Sequence, residues 1–331
     1  MKILVTGGAG FIGSHLVDEL VRRGNRVIVY DNLSTGFLSN LEPAFSTGKA
    51  ELVEGDVLDG QKLVEAMKGV STVFHLAANA DVRGGKADTN VDIRQNVLGT
   101  HSVLEAMRIT GASEIIFTSS ATVYGEPDRF PTPEDYTPVQ TSLYGASKLG
   151  AEAIIQAYGE YFGIRSHVFR FVSWIGERYS HGVVHDFINK LRADPKELEI
   201  LGDGNQQKSY LHVEDGVRGI FLALERMNAL KNIVNLGHVD YMDVKTVAGI
   251  VAEEMGLRKV AYRFTGGRRG WLGDSPLVHL DVSRIQRVGF QPEISIEEGI
   301  RRTAVYLLNN SWLLDATRRT ARYQNSTQFC D

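Results

Sequence analysis

Tyr144 and Lys148 stand four residues apart in the stretch SLYGASKLGAE, residues 142–152. On a helix that spacing puts the phenol and the ammonium on one face. A free tyrosine titrates near pH ~10 and is a poor base at neutrality. A cation held beside it favours the phenolate and brings the group toward a working range. The same spacing also suits a partly buried Tyr next to a solvated Lys on an ordinary amphipathic helix. The pair therefore takes its meaning from the elements that position it.

A second group of residues points to phosphate chemistry. In VTGGAGFIGSH, Gly7, Gly10 and Gly13 follow an apolar run at Lys2–Thr6 and open a periodic stretch, with Phe11 and Ile12 between the last two. The GxxGxxG spacing is a variant of the dinucleotide fingerprint: Gly7 permits the tight turn, Gly10 admits a pyrophosphate and Gly13 lets helix and strand pack closely. The helix that follows offers free N–H groups and a positive dipole end. Asp31 ends the next strand eighteen residues after Gly13. An acid there accepts hydrogen bonds from ribose hydroxyls and repels a 2′-phosphate. The residues after it are Asn32, Leu33 and Ser34, with no Arg, so NAD is expected rather than NADP. In EGDV (54–57), Asp56, next to Val57, is either a partner for the adenine amino group or a solvated loop acid.

The elements needed to carry these residues are legible as alternating runs. Strands are expected at Lys2–Thr6, Arg26–Asp31, Glu51–Gly55, Thr72–Leu76, Glu114–Thr118 and Ser166–Phe171. In FIGSHLVDELVRRG, Ile12, Leu16 and Leu20 recur every four residues and Gly24 caps the helix. Near-continuous apolar strands such as RVIVY, alternating with helices, predict an α/β fold: a Rossmann-like doubly wound parallel sheet covered on both faces. After Phe171 the rhythm changes to helix–strand units of a smaller mixed α/β lobe. The expected division gives residues 1–171, with about 210–237 rejoining, to NAD. Residues 172–209 and 238–311 form the substrate lobe, and 312–331 a polar, loosely ordered tail.

Composition narrows the class. The chain has 331 residues, 43% hydrophobic and 23% charged, with a formal net charge of -4. No long basic block is present, which argues against nucleic acid as partner. Cys330 is the only cysteine, and the nine His show no HExxH or similar spacing, so neither a disulfide framework nor a metal is expected. The apolar run Ile3–Val5 is too short for a secretory segment, and no stretch approaches the ~18 apolar residues of a membrane span. A cytoplasmic enzyme is expected.

The glycine turn, Asp31, Asp56, HLAA (75–78), SSATVYG (119–125) and YGASK (144–148) occur in one order that resembles the extended short-chain dehydrogenase/reductases of the NAD-dependent sugar epimerase/dehydratase type. Among these the likeness is to UDP-glucose 4-epimerases, and it runs from Met1 to about Leu308. The resemblance implies Tyr144 as acid/base, Lys148 on the nicotinamide ribose lowering the Tyr pKa, and Ser120 on the same sugar oxygen. It implies that Ala77 and Ala78 line the cofactor, with Ser119 and Phe171 near it. Asn96 either braces the nicotinamide site or is simply satisfied on a helix face. Lys208 and Arg269 fall near family cations that pair with the substrate diphosphate, Arg268 competing with Arg269. At Ser173 many relatives carry Asn, and at Glu177 a Pro, which bears on the substrate.

The activity implied is epimerisation at C4 of a UDP-hexose through a 4-keto sugar, in a homodimer. Dehydratases and decarboxylases on this scaffold place carboxylates where this chain has Ala121 and Thr122, which cannot transfer protons usefully. A further alternative is another nucleotide-sugar epimerase, and another still a non-catalytic NAD-binding protein; such proteins can lose the Tyr or Lys that this chain keeps.

Overall fold

The computed structural model describes residues 1–315. Strand β1 (Lys2–Thr6) runs into the glycine turn and helix α1 (Phe11–Arg22), and the chain returns as β2 (Arg26–Asp31). The pattern repeats through α2 (Glu42–Phe45), β3 (Ala50–Glu54), α3 (Gly60–Ala66), β4 (Thr72–His75), α4 (Gly99–Thr110), β5 (Glu114–Ser120), α5 (Leu143–Phe162) and β6 (Arg165–Phe171). All six expected strands form. β5 runs two residues further than its apolar run, because Ser119 and Ser120 pair with Arg170 and Phe171 of β6. That extension carries both serines to the C-terminal edge of the sheet.

The second half adds β7 (Ser173–Ile175), α6 (Val183–Ala193), β8 (Glu197–Ile200), β9 (Gln207–Lys208), β10 (Tyr210–His212), α7 (Val213–Arg226), β11 (Lys231–Leu236), β12 (Met242–Asp243), α8 (Val244–Glu254), β13 (Ala261–Phe264), β14 (Leu277–Val278), α9 (Ser283–Gln286) and α10 (Ile296–Asn309). The main sheet has seven strands in the order β11-β6-β5-β4-β1-β2-β3, all parallel. Its order reverses between β1 and β4, the switch point outside which ligands bind in such sheets. Leu4, Ile28, Val73 and Ile115 pack on one face; Ile3, Val5, Val27 and Ile116 pack on the other. Burial on both faces is why these strands read as continuous apolar runs. Three small sheets make up the rest: β10-β7, β12-β9-β14 and β13-β8.

The polar tail expected from 312 lies outside the described residues from 316 onward. Residues 312–315 do pack: Leu313 and Leu314 are fully buried, and Trp312 meets Phe37 edge-on at 5.2 Å. The loss of periodicity at this point reflects three apolar side chains in succession, not loss of burial.

Candidate active site

The glycine turn has the shape its spacing demands. Gly7 has φ +69, and a Cβ there would lie 2.7 Å from the backbone nitrogen of Ala77, so the turn and the loop after β4 touch backbone to backbone. A Cβ on Gly13 would collide with the Gly7 carbonyl. Gly10 is the N-cap of α1 and supplies no side-chain cap, which leaves the first N–H groups of the helix to a ligand. Phe11 is buried edge-on against Tyr179 at 5.5 Å, and Ile12 is half-buried. Asp31 is buried; one carboxylate oxygen accepts the Ala9 N–H at 2.9 Å and the other the Leu33 N–H at 2.8 Å. Burial raises its pKa and these two N–H groups lower it; each oxygen keeps lone pairs for ribose hydroxyls. Asn32 Nδ2 donates to Asp56 at 3.1 Å, bringing the ends of β2 and β3 together, with Val57 buried beneath. Ala77 and Ala78 are half-buried beside the turn. The cradle fits a dinucleotide.

The opening pair lies on α5, whose N-cap Ser142 accepts the Gly145 N–H at 3.0 Å. Tyr144 is hydrogen-bonded to Ser120. Burial pushes its phenol up to about 12, the Ser120 contact works downward, and the Asp92 carboxylate adds to the rise. Lys148 is buried, with Nζ 4.3 Å from the centre of the Phe117 ring. Burial draws its pKa down to about 7 against the pull of Glu152. The structure thus unites Ser120, Tyr144 and Lys148 on the ends of β5 and α5. The expected lowering of the Tyr144 pKa by Lys148 is not found in the chain alone, where burial dominates.

Asn96 lies buried in a π-helical stretch, Ile93–Leu98. Its carbonyl accepts the Asn79 N–H at 2.8 Å, and its amide donates to Ser147 Oγ at 2.9 Å and Asp92 at 3.4 Å. Ser147 in turn donates to the Tyr144 carbonyl at 2.7 Å. Both N–H donors are spent inside the protein, and through Ser147 Asn96 is tied to α5. Ser119 donates to the Glu152 carboxylate, and Phe171 is buried against Trp174 with ring centres 4.2 Å apart.

The candidate diphosphate cations are not free. Lys208 is bonded to Asp274 Oδ1 at 2.7 Å and to the Ser275 carbonyl, and Arg269 is paired with Glu126. Arg268 is more exposed and reaches the same Glu126 at 3.9 Å. Ser173 is exposed at the start of β7. Glu177 joins Arg302 of α10 at 2.8 Å and faces His212 Nε2 at 3.4 Å. Glu177, His212 and Glu214 place ligand atoms within 4.8 Å of one another. They do not suit a metal: His212 Nδ1 accepts the Glu214 N–H at 3.3 Å, so the ring proton sits on Nε2, and Arg302 already bridges both carboxylates.

Sequence reasoning passed over Thr122 as a contact. Its hydroxyl donates to Ser120 Oγ at 3.0 Å and its N–H reaches the same oxygen at 3.2 Å, fixing the serine's direction. It also missed the acids that hold the candidate cations, Glu126 and Asp274, whose sequence distance from them leaves no local signal.

The family described as NAD dependent epimerase/dehydratase matches residues 3–237. The UDP-glucose 4-epimerase of Mycolicibacterium smegmatis is 33% identical over 94% of this chain and 100% of its own. A crystal structure of a UDP-galactose 4-epimerase is 39% identical, with a TM-score of 0.85 over 94% of this chain and 99% of that one. The dTDP-glucose 4,6-dehydratase DesIV of Streptomyces venezuelae, solved with NAD, is 29% identical at a TM-score of 0.86, covering 94% of this chain and 98% of that one.

Proposed function

The chain belongs to the NAD dependent epimerase/dehydratase family, and from that premise we propose that it interconverts UDP-glucose and UDP-galactose by inverting C4 of the hexose. NAD held at the glycine turn and Asp31 would supply reversible hydride transfer at C4. The residues of the chain do the rest. Tyr144 takes the proton of the C4 hydroxyl and gives it back, Ser120 holds that oxygen, and Lys148 holds the ribose beside it.

The observation that carries this reading is the neighbourhood of Ser120. Ala121 and Thr122 follow it, and Thr122 turns a hydroxyl onto Ser120 where elimination of water calls for a carboxylate. Hydroxyls and a phenol at this place support hydride transfer and reprotonation. We assign the cofactor to residues 1–171 with 210–237, and the nucleotide diphosphate to 172–209 and 238–311, with Ser173, Lys208 and Arg269 as its proposed contacts. No helix among the described residues is long and apolar enough to cross a membrane. Ile109 on α4 and Tyr161 and Phe162 on α5 are exposed, which supports a homodimer through these two helices, readable by light scattering.

The test is incubation of NAD-loaded protein with UDP-galactose, with UDP-glucose formation followed by a coupled dehydrogenase. Parallel arms use N-acetylated and uronic UDP-sugars. Turnover confined to one of those arms would replace the substrate assignment; turnover in none would end the proposal.

A further inference from the structure

Glu152 follows Lys148 by one more turn, so Tyr144, Lys148 and Glu152 form a ladder at four-residue spacing along α5. Glu152 is fully buried. Its carboxylate accepts the Ser119 hydroxyl and is gripped by Arg170 of β6, Nη2 to Oε2 at 2.8 Å and Nε to Oε1 at 3.1 Å. Arg170 continues through Nη1 to Tyr124 Oη and the Glu134 carbonyl, both at 2.9 Å, and Tyr124 donates to Asn235 Oδ1 at 2.6 Å. Every member of this network has a partner. A buried ion pair is nonetheless weak as a device for stability, since apolar residues of the same volume often do as well. Its place beside Lys148 suggests another use.

We propose that Glu152 is a positioning residue for charge: balanced against Arg170, it sets the protonation of Lys148 and with it the pH range over which Tyr144 works. This rests on the reading of Tyr144 and Lys148 given above. The groups facing Lys148 bear it out. Its own helix brings Glu152 and, one turn the other way, Tyr144; β5 brings the Phe117 ring and β4 the buried His75, while Ser119 and Arg170 hold Glu152. His75 is neutral: burial, then the Lys148 charge, hold its pKa at about 3. Asp92 acts on Tyr144. Among these groups Glu152 is the anion that opposes the effect of burial on Lys148. Arg170 balances the charge of Glu152 and so limits its pull on Lys148.

Two substitutions separate this role from a structural one. Glu152→Gln strands the Arg170 charge and Arg170→Gln strands the Glu152 charge, so both lower the thermal midpoint. On Lys148 they act oppositely. In NAD-loaded protein the alkaline limb of the kcat/KM profile, where Lys148 loses its proton, moves down by roughly one pH unit in Glu152→Gln and up in Arg170→Gln. The double substitution strands no charge and returns the limb toward its original place. Limbs that move in the same direction, or stay put, overturn the proposal. Where a single variant does not fold, Glu152→Asp carries the test: it keeps the charge but withdraws it by one methylene, and an unmoved limb again refutes. Tyr144→Phe distinguishes the two layers. Normal turnover in that variant sinks the Tyr144–Lys148 reading itself; loss of turnover there, with unmoved limbs in Glu152→Gln and Arg170→Gln, sinks this inference alone.

Discussion

Removing the cofactor should expose how much of the base is made by the fold. Burial pushes the Tyr144 phenol up to about 12, and its contact with Ser120 recovers only part of that. At pH 7 a group of that pKa is phenolate in about one molecule in 10⁵. Working near neutrality requires a descent of about five units, or about 7 kcal/mol at ~1.36 kcal/mol per unit. The Lys148 ammonium cannot supply this alone, because burial draws its own pKa to about 7 and leaves it only partly charged at neutrality. The remainder has to come from the positive charge of the nicotinamide ring. The tyrosinate ultraviolet absorbance of wild type minus Tyr144→Phe, followed against pH with and without NAD, isolates this one phenol. Without NAD no difference signal should develop below about pH 11. With NAD the transition should fall by several units. A transition near neutrality in NAD-free protein would mean that the fold already makes the base. An immobile transition on adding NAD would mean that the cofactor's charge does not reach Tyr144. Either result refutes the reasoning.

Asp31 is placed to accept ribose hydroxyls, so denatured protein should release NAD(H) in near-stoichiometric amount, and recovery of NADP(H) would contradict its role. Arg269→Ala should raise KM for UDP-galactose about ten- to a hundredfold, the value of one charge-assisted hydrogen bond, with NAD content unchanged. Because Arg269 is held by Glu126, Glu126→Gln should instead lower that KM; equal inhibition by UDP in wild type and Arg269→Ala would show a surface cation only. His75 is buried with its pKa lowered from 6.5 to about 3, first by burial and then by Lys148. A base with a depressed folded pKa stabilises the protein above its unfolded pKa and loses that stability as pH falls toward the folded one. Urea denaturation should therefore show wild type losing about 3 kcal/mol more than His75→Gln between pH 7 and 4.5.

What was legible in the chain was whatever a short stretch decides for itself. β1 and β2 end where they were expected because each is an unbroken apolar run closed by a glycine or an acid. The Tyr144–Lys148 face follows from helical spacing alone, and Glu152 continues it one turn later, so its place was readable even though its partner was not. Arg170 lies eighteen residues from Glu152, on a strand, and meets it only because α5 packs against β6. The same holds more strongly for Arg269 and Glu126, separated by 143 residues, and for Lys208 and Asp274, separated by 66. An ion pair between distant segments imposes no period on either one, and nothing in a lone cation tells whether an acid already holds it. Ser119 and Ser120 fail in the opposite direction. Serine is an indifferent strand former, yet both are strand residues because β6 offers them a ladder. The site is therefore read best where it is built on one helix and least where its electrostatics are assembled by the sheet. The pKa of Tyr144 belongs to the second kind. Residue types predict a lowered value from the neighbouring lysine, whereas the packed chain raises it, because burial acts on the phenol and the ammonium together and penalises the charged form of each.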